Sequence, residues 1–237
     1  MSADLELALS LADDADALSL PRCRALDLHV ETKADLTPVT DADRAVERAL
    51  RTRLARERPG EGVLGEEEGD SGGSVRWIVD PIDGTKNFAR GVPVWATLIA
   101  LERDGTVVCG VASAPALGHR WWAARGEGAH RDGERIHVSA IDRLERASVS
   151  CSHARDLARF EPHVLHARGF GDFWQHMLVA EGAIDAAVDA ALAPWDIAAL
   201  EVIVGEAGGR VGTSNGQTVT SNALLHDDVI AAVRSDG

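Results

Sequence analysis

The sequence has few cysteines, which cross-link small folds, and it has only short apolar runs. Its three cysteines are an odd number without the paired spacing of a disulfide framework or a zinc ribbon: Cys23, Cys109 and Cys151. Its apolar runs are too short for a transmembrane helix, and the acidic N-terminal segment MSADLELALSLADDADALSL lacks the basic start of a signal peptide. We therefore expect a soluble, reduced, cytoplasmic protein.

Positive charge is also scarce. Lys and Arg together number 24 against 38 Asp and Glu, which gives a formal net charge of −14. A chain this acidic repels phosphate backbones and anionic lipid headgroups, and no cluster of arginines offsets that repulsion. We therefore expect neither nucleic acid nor a membrane among its partners, whereas metal cations or a cationic substrate are permitted.

What is present is an ordinary globular composition. The 237 residues are 45% hydrophobic and 26% charged. A chain of this length can bury a hydrophobic core without disulfides or structural metal ions. This length fits one large domain or two small ones. The sequence pattern changes near residue 140 from that of hairpins to that of alternating strands and helices. We therefore expect a helix-packed antiparallel sheet with a metal-binding motif over residues 1–140. Residues 141–237 should form a mixed α/β part that completes the active site.

Hydrophobic periodicity predicts the elements of both parts. Residues 3–28 should form one or two helices divided at Pro21, and a further helix should run from a cap at Thr40 or Asp41 to about Arg58. The Asp-Gly pairs at 104–105 and 132–133 predict hairpin turns. Further strands are expected at 74–80, 94–101, 106–113, 119–124, 147–152 and 184–189, and further helices at 155–167, 174–182, 196–207 and 228–233.

The motif Asp80-Pro81-Ile82-Asp83-Gly84-Thr85 stands at the end of a predicted strand. Pro81 keeps Asp80 out of the helical region, and a tight turn can aim the carboxylates of Asp80 and Asp83 at one point. Gly84 lets the backbone approach a ligand, and Thr85 adds a hydroxyl. Hard oxygen ligands that converge in this way suit Mg²⁺, with backbone carbonyls and waters completing the shell. The alternative, a plain turn with two solvated acids, does not account for the fixed spacing.

Three other groups of polar residues are less specific on their own. Gly65-Glu66-Glu67-Glu68 has the composition of a solvated loop, which is the interpretation kept for Glu68. Asp196 opens a helix after Trp195, where an N-cap is the commoner role. The histidines of the third group lack partners at metal-ligand spacing and are interpreted as surface residues: His153, His163 and His166.

Taken in order, these segments resemble a known family. GEE, WIVDPIDGT and a distant PWD before a helix ending in GG, together with ADLTPVTDAD and GAHRDGERIHVS, are similar to the inositol monophosphatase family of Mg²⁺-dependent, lithium-sensitive phosphatases. The similarity extends over nearly the whole chain. It implies a mixed α+β or α/β fold, a layered αβαβα sandwich of the inositol monophosphatase type, and a homodimer that acts on a small phosphate ester.

The resemblance also implies roles for individual residues. Two or three Mg²⁺ ions, replaceable by Mn²⁺, would be held by Glu66, Asp80, the Ile82 carbonyl, Asp83 and Asp196. Thr85 would activate the attacking water, with Asp41 as the aspartate hydrogen-bonded to it and Glu66 as the third catalytic residue. The backbone N–H groups of Gly84 and Thr85 would hold the phosphate.

Within the family, RWWAARGEGAH and RGFGDFWQHMLVAEGAIDAAVD are most similar to the histidinol-phosphate phosphatases of actinobacterial type. Asp189 stands seven residues before Asp196, where the inositol enzymes carry an acid that binds substrate hydroxyls. Asp172 replaces a neutral residue of those enzymes, and an extra carboxylate suits a substrate with an ammonium and an imidazole group. Alternatively, Asp172 caps the helix that begins near Phe173.

Three functions follow from these observations. The first is hydrolysis of L-histidinol phosphate in histidine biosynthesis. The second is a broader inositol-1-phosphate or sugar-phosphate phosphatase. The third, of another class, is a metal-bound binding protein without catalysis, since a fold does not establish an activity.

Overall fold

The structure is a computed structural model in which residues 1–34 and 36–234 are described. Residue 35 and residues 235–237, the end of the predicted C-terminal part, lie outside the described residues. The helices of the described part are α1 (Ala3–Ser19), α2 (Asp41–Glu57), α3 (Thr85–Arg90), α4 (Ala154–Phe160), α5 (Asp172–Ala180), α6 (Pro194–Glu206) and α7 (His226–Arg234). None of these helices is both long enough and apolar enough to cross a membrane.

The strands form a two-stranded ribbon and two larger sheets. The ribbon consists of β1 (Val30–Thr32) and β2 (Pro38–Thr40). The strands of the first large sheet are β3 (Gly62–Gly65), β4 (Gly69–Asp70), β5 (Val75–Asp83), β6 (Ala96–Arg103), β7 (Thr106–Ala114), β8 (His119–Ala124), β9 (Gly128–Arg131) and β10 (Glu134–Arg135). Those of the second are β11 (Ser148–Cys151), β12 (His166–Arg168), β13 (Ala186–Ala190), β14 (Gly209–Ser214) and β15 (Gln217–Asn222).

The helices and sheets alternate in five layers. The first sheet has the order β10-β9-β8-β7-β6-β5-β3-β4 and the second β12-β11-β13-β15-β14. Apolar residues of α1 and α2 cover one face of the first sheet, and α5 and α6 pack against its other face and against the second sheet. Helices α4 and α7 cover the far face of the second sheet. The αβαβα sandwich predicted from the resemblance is confirmed.

The two large sheets draw their strands from separate stretches of chain, residues 62–135 and 148–222. We propose to place the boundary between the two parts near residue 140. The central layer of α5 and α6 contributes Phe173, Leu200 and Ile203 to a core that also contains Leu98 and Trp121 of the first sheet. Predicted active-site residues lie in the last four residues of β5 and at the starts of α3, α5 and α6, so the central layer of α5 and α6 brings the two parts together there.

Most predicted elements are confirmed to within about three residues, but two helices end earlier than predicted. α1 ends at Ser19, and Pro21 lies in the short 3₁₀ turn Leu20–Arg22 that follows. The helix predicted over 155–167 is wrong beyond Phe160. Pro162 has no N–H to continue the helix, and His166–Arg168 instead pairs in parallel with β11.

Both predicted caps are clarified by the hydrogen bonds. Of the two alternatives for α2, Thr40 is the cap: its hydroxyl accepts from the backbone N–H of Ala42 at 3.2 Å and of Asp43 at 3.4 Å. Asp196 is not an N-cap residue. It is the third residue of α6, and its carboxylate accepts from the backbone N–H of Ala193, 2.9 Å away, because Pro194 already begins the helix.

Candidate active site

An extra residue in β5 brings two carboxylates to the same place. Asp80 pairs with Leu98 and Asp83 with Ala96, so three steps along β5 correspond to two steps along β6. Residues three apart on a regular strand point to opposite faces, and a bulge of one residue removes that opposition. The bulge is held by the Ile82 N–H, which donates to Asp80 Oδ1 at 2.9 Å, and by the Thr97 hydroxyl, which donates to the Pro81 carbonyl at 2.8 Å.

Over the described residues, the group of carboxylates close enough to share a cation is Asp80, Asp83 and Asp196, with ligand oxygens within 4.8 Å of one another. Asp83 is further oriented by the backbone N–H of Phe173, which donates to Asp83 Oδ2 at 2.7 Å from the first turn of α5. A cavity of about 150 Å³ is lined by this group together with Glu66, Ile82, Gly84, Thr85 and Asp172. The structure therefore brings together the five residues predicted to hold metal.

Electrostatics favour a cation in this cavity. Burial, followed by repulsion from neighbouring carboxylates, raises the pKa of Asp80 and of Asp83 well above the ordinary range. Burial likewise raises the pKa of Asp196 to about 6. Carboxylates crowded in this way repel one another when ionised, and a divalent cation with a preference for oxygen ligands removes that repulsion. The donor set therefore fits Mg²⁺ or a similar hard cation.

Glu66 lines the same cavity but is engaged by a lysine. Lys33 Nζ donates to Glu66 Oε1 at 2.8 Å and to Glu67 Oε1 at 2.6 Å. Lys33 directly follows β1, in the ribbon that precedes α2. Its ammonium group supplies positive charge beside the cluster, which keeps the Glu66 carboxylate at the edge of the cavity.

The aspartate beside Thr85 is Asp43, and the prediction of Asp41 is wrong. The Thr85 hydroxyl lies 3.3 Å from Asp43 Oδ1 and donates to the Ile82 carbonyl at 3.0 Å. Asp43 is fully buried, and its Oδ2 accepts from the N–H and the hydroxyl of Thr40 at 2.8 and 2.5 Å. Asp41 is partly exposed and forms an ion pair with Arg22 at 2.7 Å. The two residues stand about 200° apart around α2, so only one of them can face the cavity.

Gly84 lies between the carboxylate group and Asp172. It has a φ of 85° and precedes α3. A Cβ at this position would lie 3.0 Å from the Val94 carbonyl oxygen and 3.4 Å from Asp172 Oδ2. Both the left-handed backbone and this limited space favour glycine, and they leave the backbone of Gly84 and Thr85 accessible to a ligand.

A second cavity, of about 410 Å³, adjoins the first and contains both acids predicted to bind substrate. The two cavities share four lining residues: Asp83, Lys86, Asp172 and Asp196. Asp189 accepts hydrogen bonds from Gln175 Nε2 and from the Ala190 N–H, both at 2.8 Å. Burial acts to raise the pKa of Asp189, but the hydrogen bonds and the nearby His176 ring outweigh it and leave this pKa below its ordinary value.

Asp172 does not cap α5. The N-cap residue is Gly171, and the Asp172 carboxylate accepts from the Asn87 side chain at 2.8 Å. Asp172 has a φ of 47°, a left-handed conformation that is uncommon outside glycine. Burial and the neighbouring Asp189 raise the pKa of Asp172. A positively charged group in this cavity would relieve that repulsion.

The remaining polar residues behave in different ways. Glu68, His153, His163 and His166 are all exposed, as predicted, and His153 also lines the cavity of about 410 Å³. Sequence reasoning missed Asp43, Lys33 and His176. His176 is buried, and its Nδ1 lies 2.9 Å from Thr220 Oγ1. A signal for Asp43 was available, because Thr40 and Asp43 have the spacing of a capping box.

The layered fold and the buried carboxylate cluster are those of a metal-dependent phosphatase, and the chain belongs to the inositol monophosphatase family, whose model matches residues 2–236. Among curated relatives, it is 52% identical to the histidinol-phosphatase of Mycobacterium tuberculosis over 98% of each chain. It is 46% identical to the histidinol-phosphatase of Streptomyces coelicolor over 96% of this chain and 95% of the relative. Among solved structures, an IMPase from Thermotoga maritima superimposes with a TM-score of 0.92 at 33% identity, covering 98% and 97% of the two chains.

Proposed function

We propose that this protein is a Mg²⁺-dependent phosphomonoesterase that hydrolyses L-histidinol phosphate to L-histidinol and inorganic phosphate, in the cytoplasm and as part of histidine biosynthesis. The relatives named histidinol-phosphatase support the substrate. The structural observation that carries the proposal is the pair of acids, Asp172 and Asp189, in the cavity that adjoins the metal cluster. Inhibition by Li⁺ and a homodimeric assembly belong to the same proposal.

Glu66, Asp80, the Ile82 carbonyl, Asp83 and Asp196 would hold two or three Mg²⁺ ions, or Mn²⁺ in their place. Bound there, divalent ions neutralise phosphate oxygens, lower the pKa of water and stabilise a leaving alkoxide. The protein's own contribution begins with the phosphate. The backbone N–H groups of Gly84 and Thr85, at the start of α3, would donate to its oxygens.

Thr85 and Asp43 would orient the attacking water. The Asp43 carboxylate is fixed by Thr40, and once the Ile82 carbonyl holds metal it would accept the hydrogen bond of the Thr85 hydroxyl, 3.3 Å away, that the Ile82 carbonyl otherwise accepts. With that proton directed to Asp43, the Thr85 oxygen is free to accept a hydrogen bond from water. A water held in this way is oriented before the reaction, and orientation of a reactant lowers the barrier without tighter substrate binding.

Asp172 and Asp189 would select the leaving group. The proposed substrate carries an ammonium group and an imidazole, both of which donate hydrogen bonds, whereas inositol presents only neutral hydroxyls. Charge-assisted hydrogen bonds are stronger than neutral ones, about 1.5–3 kcal/mol each. The −14 net charge of the chain further attracts a cationic leaving group to the site.

The test is phosphate release from a substrate panel with Mg²⁺, comparing the wild type with Asp172→Asn. We expect the wild type to have a much higher kcat/KM for histidinol phosphate than for inositol 1-phosphate. Asp172→Asn should reduce the ratio of these two kcat/KM values by about 10- to 100-fold, mainly by lowering kcat/KM for histidinol phosphate. Asp83→Asn serves as the control that removes a metal-site carboxylate and should be inactive on both. A preference for inositol 1-phosphate would support the broader phosphatase instead. Absence of release from every ester would support a binding protein without catalysis.

A further inference from the structure

Glu47 is a buried carboxylate that the proposed reaction does not use. It lies on α2 and has no exposed surface. Its Oε2 accepts from the backbone N–H of Glu67 at 2.7 Å, and its Oε1 accepts from the N–H of Glu68 at 2.9 Å. Both amides belong to the turn immediately after Glu66. One carboxylate therefore binds two consecutive backbone donors next to a residue of the metal site.

Arg51, one helical turn further along α2, balances the charge of Glu47 and attaches the same region to the helix. Its Nε donates to Glu47 Oε1 at 2.8 Å. Its other nitrogens donate to the Val63 carbonyl at 3.3 Å and to the Gly69 carbonyl at 2.5 Å. Val63 and Gly69 lie in β3 and β4, the strands on either side of the turn. The pair Glu47–Arg51 thus holds both strands and the turn between them.

Gly65 shows how close the Glu47 carboxylate lies to the backbone of β3. A Cβ on this residue would lie 2.1 Å from Glu47 Oε1 and 2.4 Å from the Glu47 carboxyl carbon. The residue before Glu66 must therefore be glycine for Glu47 to occupy its place. On the other side, the Glu66 N–H donates to the Val79 carbonyl of β5 at 3.3 Å. The backbone of Glu66 is constrained from both directions.

We propose that Glu47 is a positioning residue for the metal site, and that it acts by fixing the backbone from which Glu66 reaches the cation. This inference rests on the proposed function in one respect, that Glu66 holds metal. With the flanking amides bound, only the side chain of Glu66 can move between Lys33 and a cation. Loss of the Glu47 carboxylate would release the turn and increase the entropy that Glu66 loses when it binds metal.

The experiment measures metal affinity directly, by calorimetric titration of the metal-free protein with Mn²⁺. Glu47→Gln keeps the size of the side chain but turns an amide NH₂ towards one of the two N–H donors. Partners of this kind, one step removed from the metal, usually contribute 10- to 100-fold to affinity, so we expect Glu47→Gln to weaken Mn²⁺ binding at least about 10-fold. At saturating metal, kcat should stay within a few-fold of the wild type, because the cation then draws Glu66 back into place.

Gly65→Ala is the second variant, because it displaces the Glu47 carboxylate without altering any charge. We expect a similar loss of Mn²⁺ affinity. The double variant should bind Mn²⁺ no more weakly than the weaker-binding of the two single variants, because both changes break the same arrangement. Asp185→Asn is the matched control. Asp185 is also a buried carboxylate that accepts a backbone N–H, that of Ser148 at 2.6 Å, but in the second sheet. It should lower the melting temperature and leave Mn²⁺ affinity unchanged.

The outcomes separate the two proposals. A wild-type protein that takes up no Mn²⁺ would overturn the proposed function. A wild type that binds Mn²⁺, with Glu47→Gln and Gly65→Ala binding it equally well, would overturn the positioning role while leaving the proposed function intact. In that case a fall in melting temperature matching that of Asp185→Asn would identify Glu47 as a structural residue only.

Discussion

Asp41 and Asp43 stand two positions apart in the first turn of α2 and have opposite environments. Asp43 is buried between Thr40 and Thr85, and burial raises its pKa. Asp41 is partly exposed and pairs with Arg22. A single turn of helix thus carries one aspartate that faces the proposed site and one that belongs to the surface.

This difference leads to a test at single residues. Asp43→Asn should lower kcat by about 100-fold or more with a small change in KM, because orientation of the water is an interaction of the transition state. Thr85→Ala should have the same effect, and the double variant should add little to either. Steady-state kinetics with Asp41→Asn as the control measures this. The Asp41–Arg22 pair is a surface ion pair, so its loss should leave turnover within about twofold. The assignment is wrong if Asp41→Asn is the variant that loses turnover.

At the scale of elements, the bulge in β5 decides whether two carboxylates meet. It depends on local chemistry, since Pro81 cannot donate to the neighbouring strand and the Asp80 side chain accepts the N–H of Ile82. It also depends on β6, from which the buried Thr97 hydroxyl donates to the carbonyl of Pro81. The Thr97 bond connects the turn that carries Asp80 and Asp83 to the body of the first sheet.

We expect Thr97→Val to destabilise the protein by about 1–3 kcal/mol, because the buried Pro81 carbonyl loses its partner while the side chain keeps its shape. Urea unfolding of the metal-free protein measures this change. Thr52→Val is the matched control, since the exposed Thr52 hydroxyl donates within its own helix, to the Arg48 carbonyl of α2. Its effect should be below about 0.5 kcal/mol. Equal effects of the two substitutions would show that the Thr97 bond does not support the bulge.

At the scale of the whole molecule, the acidic groups make stability depend on pH and on metal. Burial is the largest cause of a raised pKa in seven carboxyl groups: Asp16, Asp43, Glu67, Asp80, Asp83, Asp172 and Asp196. A raised pKa means that the folded chain binds more protons than the unfolded chain above about pH 4, so the free energy of unfolding falls as pH rises. Burial lowers the pKa of His226, and this single group has the opposite effect on the free energy of unfolding.

The metal-free protein should therefore melt at a lower temperature at pH 8 than at pH 5.5. Metal binds the ionised carboxylates and opposes their repulsion. For a Kd on the order of 0.1 mM, 10 mM Mg²⁺ is about 100 times the Kd and should raise the free energy of unfolding at pH 8 by about 2–3 kcal/mol. At pH 5.5 the gain should be smaller. Thermal melts at both pH values, with Mg²⁺ or EDTA, measure this. A larger Mg²⁺ effect at pH 5.5 would contradict the cluster as the binding site.

Sequence patterns alone were sufficient for most helices, for several strands and for the pair Asp80 and Asp83, whereas Glu66, the Ile82 carbonyl and Asp196 were implied by the family resemblance. The strand before Asp80, the Pro and Gly of the following turn and the apolar periodicity of α2 and α6 are local features, encoded by neighbouring residues. The β14–β15 hairpin shows the limit of the same reasoning. Its turn, Asn215-Gly216, has both residues at positive φ, a recognisable hairpin signal, but the polar strands beside it have no alternating apolar pattern.

Tertiary structure decided which side chains reach the site from a distance. Asp41 and Asp43 both suit the start of a helix, and only the packing of α2 against the first sheet determines which of them meets Thr85. Lys33 and Glu47 reach the Glu66 turn from 33 and 20 residues away in the chain. Contacts of this separation leave no periodic trace in a single sequence, because the two partners have no local conformation in common. The sequence, with its family resemblance, therefore indicated the carboxylates around the candidate metal cavity, and the packing of helices on sheets determined which side chains contact them.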